Sequence, residues 1–221
     1  MMGTEAALVF GSGFLTNLGV LSTLAGPEDA IFSDWLNHAS LIDGIRLSRG
    51  RRFRYHHKDL THLEDLLKKN RQTGKRIIVS ESVFSMDGDI APLKGLAQLA
   101  QQYDALLVID EAHAIGVMGV NGGGVSRIPG SEIQPDVIVG TLSKTLGGYG
   151  GYVACSSLIR QYLLNKARSF LFSTGLPPAC AASALEAVSI IEAHPEMGKK
   201  LLQKARRFHI LLSRHGLNLL P

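Results

Sequence analysis

Short apolar runs alternate along the chain with segments whose apolar residues recur every three or four positions. Runs at 30–33, 76–80, 105–110 and 136–140 are unbroken enough to be strands covered on both faces, which lose the polar alternation of half-exposed strands. Weaker runs of the same kind lie at 6–10 and 150–155. Between them, 59–70 sets Leu60, Leu63, Leu66 and Leu67 on one helical face, with Asp59 as the N-cap. The 92–103 segment does the same with Leu93, Leu96, Leu99 and Ala100, and Pro92 suits a first turn. Strand and helix in alternation predict an α/β fold, a mostly parallel sheet flanked by helices. The last quarter differs. There 157–168, 178–193 and 196–214 read as successive helices, the first two parted at 169–178 by Pro177 and Pro178. The apolar run 217–221 reads as the entry into a further strand.

Composition narrows the class. With 221 residues, 45% of them hydrophobic and 19% charged, the chain can build a sizeable core and is not a disordered polymer. Cys155 and Cys180 are its two cysteines and form no CxxC pair, which excludes a disulfide scaffold and fits a reducing compartment. No run of 18 apolar residues spans a membrane, and no basic segment followed by an apolar run marks a secretory signal. A cytoplasmic domain without a membrane partner is expected.

The net charge of +4 favours acidic ligands only mildly. One stretch stands out, with Arg46, Arg49, Arg51, Arg52, Arg54 and Lys58 interleaved with Phe53 and Tyr55. Such a pattern could track a nucleic-acid backbone or steer an anionic substrate. It equally fits an edge strand at Arg51–Tyr55 with a solvated basic face, and that plainer reading leaves no nucleic-acid partner.

Candidate chemistry gathers at or just after strand ends, where open α/β sheets bind ligands. Gly11-Ser12-Gly13-Phe14 precedes an apolar helical stretch, and small residues at a helix start let amides approach a phosphate. Thr16 stands where a dinucleotide fingerprint needs glycine, so an ordinary glycine turn is the alternative. Asp110-Glu111-Ala112-His113 follows the 105–110 run, and an acid there could be a ligand, a base, a partner for a ring nitrogen or a simple cap. Lys144, within Thr141-Leu142-Ser143-Lys144, is either a solvated charge or an amine whose burial makes it a nucleophile and base. No P-loop leads into it. Ser85-Met86-Asp87-Gly88-Asp89 reads as an acidic turn and lacks the ligand ladder of a calcium loop, so no metal is expected. His38, in Asn37-His38-Ala39-Ser40, is a lone histidine, more often a satisfied structural residue than a functional one. Together these groups suit one ligand with a phosphate, a ring nitrogen that wants a carboxylate and a carbonyl that wants a lysine. Pyridoxal phosphate has all three.

The motifs Ser12-Gly13-Phe14, Asn37-His38-Ala39-Ser40, 84–89, Asp110-Glu111-Ala112-His113, 140–146 and Phe172-Ser173-Thr174 cover most of the chain in one order. In that order it resembles the α-oxoamine synthases, pyridoxal-phosphate enzymes of the aspartate-aminotransferase fold. Segments 86–93 and 110–116 look most like the biotin-pathway branch, and 41–47 also looks like the glycine C-acetyltransferase branch. The resemblance implies a decarboxylative condensation of L-alanine with pimeloyl-CoA or a pimeloyl carrier protein. It implies that Lys144 links to the cofactor and later takes the Cα proton, that Asp110 pairs with the ring nitrogen and that His113 bonds the phenolic oxygen. His38 would stack on the ring. Gly13 and Phe14 would hold the phosphate through their amides, Ser85 and Thr141 would add hydroxyls, and Ser173 and Thr174 would reach a neighbouring subunit's phosphate in a homodimer. The implied organisation is a cofactor-binding large domain over 1–195 and a helix over 196–221 leading into a small domain. Family members extend further at both ends, where an N-terminal segment carries a substrate-contacting arginine and a C-terminal domain helps hold the substrate carboxylate. A chain incomplete at both ends is therefore expected, and a cofactor-binding fragment without turnover is the alternative of another class.

Overall fold

The computed structural model describes residues 2–219. Seven strands form one sheet in the order β1-β7-β6-β5-β4-β2-β3, where β1 is Ala6–Phe10, β2 Ala30–Asp34, β3 Arg51–Tyr55, β4 Arg76–Glu81, β5 Ala105–Asp110, β6 Val137–Thr141 and β7 Gly151–Cys155. The run from β3 through β2, β4 and β5 to β6 is parallel. β7 lies antiparallel to both β6 and β1. The expectation of a mostly parallel α/β sheet is borne out, and β3 is an edge strand, as β1 is at the other end, with Arg51, Arg52 and Arg54 exposed.

Successive side chains leave a strand on opposite faces, and here the two faces serve two cores. On β4, Ile77 and Val79 join Val20, Leu21, Leu41 and Ile45 in one cluster, whereas Ile78 joins Leu63, Leu67, Leu96 and Leu99 in the other. Helices α1 (Gly13–Leu24) and α2 (Ala39–Leu47) cover the first face, and α3 (Leu60–Lys69) and α4 (Leu93–Gln102) cover the second. β2 and β6 are buried throughout, which is why their sequences show no polar alternation.

The helices start where their caps dictate. Ser12 Oγ accepts the Leu15 amide at the head of α1, and Asp59 Oδ1 accepts the His62 amide at the head of α3. Beyond β7 come α5 (Ser157–Lys166), α6 (Arg168–Leu171), α7 (Pro178–Ala193) and α8 (Glu196–Arg214). α6 corrects the plain break expected at 169–178: one helical turn forms there, pinned by Ser169 Oγ donating to Leu15 O at 2.7 Å. The helical period had also passed over α2. Gly44 weakens it as a free helix, yet is required where α2 crosses α1, because a Cβ at Gly44 would come within 2.7 Å of Asn17 O. Of the apolar run at 217–221, residues 220 and 221 lie outside the described residues, and 217–219 form no regular element.

Candidate active site

The carboxyl ends of β2, β4, β5 and β6 and the N-terminus of α1 surround one cavity of about 270 Å³. Gly13, Phe14, His38, Asp110, His113, Thr141 and Lys144 all line it. Ser85, Ser173 and Thr174 do not: all three are exposed outside it, although the Ser85 amide reaches Glu81 and Ser173 Oγ lies beside Gly11.

Asp110 ends β5, 7% exposed, and both its oxygens are occupied. One accepts Asn17 Nδ2 at 2.8 Å and the other accepts the Ala112 amide at 2.9 Å. Directly across the parallel ladder, Glu81 ends β4 as its register partner. Glu81 is 3% exposed, and its Oε1 accepts the His38 amide at 2.6 Å. Burial first, and then the neighbouring Asp110 charge, push the Glu81 carboxyl up to about 7, against the His38 and Ser85 amides and Lys144.

Lys144 sits three residues past the end of β6, and its Nζ lies 2.7 Å from His113 Nε2. Partial loss of water lowers the affinity of the Lys144 amine for its proton, although Asp110 and Glu81 pull the other way. Desolvation, followed by the Lys144 charge, lowers that of His113. Thr141 Oγ1 donates to Gly150 O at 3.0 Å and lies 2.8 Å from Ser143 Oγ.

The corner expected to hold a phosphate is made of backbone. Ser12 Oγ and Ser12 O take the Leu15 and Thr16 amides, while those of Gly13 and Phe14 find no acceptor among the described residues. A Cβ on Gly13 would sit 3.2 Å from Thr141 Cβ, so the close approach of α1 to the end of β6 depends on that glycine.

Two lining residues escaped the sequence reading, Asn17 and Glu81, and a third, Ser40, lay in a quoted motif without a role of its own. Glu81 follows the 76–80 run as directly as Asp110 ends its own, and the same strand-end rule would have found it. Asn17 lies one helical turn beyond Gly13, on the same face of α1. Elsewhere, His57, Asp87 and Asp89 are the one group among the described residues with donor atoms close enough for a metal ion. There His57 already bridges Asp34 and Asp89 at 2.9 Å each, and Lys58 Nζ holds the same Asp89 oxygen, Oδ2, at 2.6 Å, so both His57 nitrogens and that oxygen are engaged by the protein's own groups.

A family model described as aminotransferase class I and II matches residues 1–221. The chain belongs to that family. An 8-amino-7-oxononanoate synthase from Citrifermentans bemidjiense is 52% identical over 202 residues, 91% of this chain and 51% of the relative. Among solved structures, a serine palmitoyltransferase from S. paucimobilis with PLP and myriocin bound superposes with a TM-score of 0.94 at 34% identity, over 98% of this chain and 56% of that one. An 8-amino-7-oxononanoate synthase from Francisella tularensis does so with a TM-score of 0.85 at 34% identity, over all of this chain and 64% of that one. These similarities bear out the α-oxoamine synthase resemblance and its fold. The chain spans about half the length of the curated relatives it matches.

Proposed function

We propose that the chain forms the cofactor-binding part of an 8-amino-7-oxononanoate synthase, with residues 1–195 as its large domain. The enzyme would join L-alanine to the acyl group of pimeloyl-CoA or a pimeloyl carrier protein, releasing the thiol and carbon dioxide, in the cytoplasm. The observation that carries this reading is the meeting of a buried carboxylate, an amine that gives up its proton more readily than usual and a pair of unpaired helix amides around one cavity. That donor set fits pyridoxal phosphate. When bound, it supplies an aldehyde for a lysine and a ring that takes up the electron pair left by a departing Cα proton.

The chain's own residues would divide the remaining work. Gly13 and Phe14 amides hold the phosphate at the head of α1, joined by the Thr141 hydroxyl once its proton turns from Gly150 O to the anion. Asp110 keeps the proton on the ring nitrogen, its orientation fixed by Asn17 and the Ala112 amide. His113 bonds the phenolic oxygen, and His38 covers one ring face. Lys144 binds the cofactor and then serves as the base at Cα, a task helped by its lowered proton affinity. Ser85 adds a hydroxyl from the turn that Glu81 anchors, and Ser173 and Thr174, exposed here, serve the phosphate of a second subunit in a homodimer. The unpaired Cys155 and Cys180 agree with a cytoplasmic setting.

The test is to add pyridoxal phosphate, record the visible spectrum and trap the lysine link with borohydride, with Lys144→Ala alongside. A trapped band lost in the variant is expected, followed by thiol release from pimeloyl-CoA with L-alanine. Absence of a trapped band would refute the cofactor assignment. Faster thiol release with glycine and acetyl-CoA would move the chain to the glycine-acylating branch.

A further inference from the structure

His38 is tied into the protein through one ring nitrogen. Its Nδ1 accepts the Ser40 amide at 3.2 Å, as the N-cap of α2, and also lies 2.7 Å from Ser40 Oγ. Ser40 Oγ in turn accepts Asn17 Nδ2 at 2.9 Å, and the same Asn17 nitrogen donates to Asp110 Oδ2 at 2.8 Å. Protons along this chain can be assigned by elimination. Asp110 is an acceptor and fixes the Asn17 side chain with its NH₂ toward it, because a flipped amide would set oxygen against oxygen. Both Asn17 protons are then spent, one on Asp110 and one on Ser40. Among the described residues the Ser40 hydroxyl proton has a single acceptor within reach, His38 Nδ1, which already receives the Ser40 amide. Two donors aimed at one nitrogen require it to be the unprotonated one. Placing the proton on Nδ1 would oppose it to the amide and strand the hydroxyl proton with no acceptor, in a site where Ser40 is 1% exposed and Asn17 2%.

We infer that Ser40 and Asn17 are positioning residues that hold the proton of the neutral His38 ring on Nε2 and tie that ring to the Asp110 carboxylate. Nε2 has no partner among the described residues, and His38 lines the cavity. The ring therefore offers the cavity a hydrogen-bond donor and no acceptor: it can hold an oxygen of a ligand and cannot serve as the base, which leaves proton abstraction to Lys144. The protonation of the His38 ring is a property of the chain itself, whichever substrate the cavity takes.

The experiment is nitrogen NMR of the chain labelled with ¹⁵N-histidine, without added cofactor, at a pH where the ring is neutral, with His38→Gln used to assign the signals. The expected result is an unprotonated Nδ1 and a protonated Nε2, in about tenfold excess over the other tautomer, the equivalent of one net hydrogen bond. Ser40→Ala should shift the Nδ1 signal and Ser40→Thr should restore it. Asn17→Ala should also shift it, although Asn17 does not touch the ring. A ring protonated mainly on Nδ1 overturns the inference on the unaltered chain, whether or not the Asn17 variant folds. Signals unmoved in Ser40→Ala overturn it as well.

Discussion

Lys144 Nζ stands 2.7 Å from His113 Nε2, so the cavity's amine and imidazole face each other across a single hydrogen bond. Only one proton fits between them, and the Lys144 charge opposes protonation of His113. Loss of water already lowers the proton affinity of His113, and the ammonium of Lys144 lowers it further. Lys144→Met keeps the bulk of the side chain and removes the charge. His113 in that variant should titrate at higher pH than in the unaltered chain, as followed by the proton NMR signals of its ring. A shift to lower pH, or none, would mean that the two groups do not share the space described.

Glu81 makes the stability of the cofactor-free protein depend on pH in an unusual direction. Its carboxyl titrates near its ordinary 4.5 in the unfolded chain and is pushed up to about 7 in the folded one, by burial first and by Asp110 second. Between those values the folded state binds more protons than the unfolded state, so this group's contribution is full below pH 4.5 and is lost as the pH rises towards 7. Glu81→Gln retains an oxygen for the His38 amide and cannot ionise. Denaturant titrations at pH 4.5 and 7 should show the unaltered chain losing stability relative to the variant across that window, by at most about 3 kcal/mol. Parallel curves for the two proteins would contradict the raised value.

Asp110 should matter to cofactor binding through charge more than through shape. Asp110→Asn preserves volume, but its NH₂ must oppose either Asn17 Nδ2 or the Ala112 amide, and it removes the partner proposed for the ring nitrogen. Hydrogen bonds to charged groups contribute about 1.5–3 kcal/mol, so the affinity for pyridoxal phosphate should fall by about tenfold or more. Equilibrium titration of the visible band measures this. Unchanged affinity would remove Asp110 from the cofactor's contacts.

Which of these residues could be read from sequence follows from where their partners lie. β2, β4, β5 and β6 were legible because helices on both faces leave their sequences uniformly apolar. Asp110 and Lys144 were legible because each stands at or just past the end of such a run. Asn17 was not, since its meaning rests on a contact with Asp110 93 residues away. Ser40 acquires its role only when α2 packs on α1, and α2 itself was hidden by Gly44. Ser173 and Thr174 were read from resemblance alone, and nothing in their local pattern says which cavity they serve.

Gly44 joins the fold to the site. It is a poor helix residue placed mid-helix in α2, and its lack of a side chain lets the helix close on Asn17 O, with Leu21 Cβ 3.1 Å from where a Cβ would be. Backbone carbonyl and core side chain cannot yield there as a flexible surface group would. Gly44→Ala should therefore destabilise the protein by about 1–3 kcal/mol, although alanine favours a free helix by about 1 kcal/mol. The displacement should also part Ser40 from Asn17, whose 2.9 Å bond spans the same helix pair. Thermal melts and pyridoxal phosphate titration of the variant test both effects. A variant as stable as the parent would show that α1 and α2 do not meet as closely as described, and the path from Asp110 to His38 would lose its support.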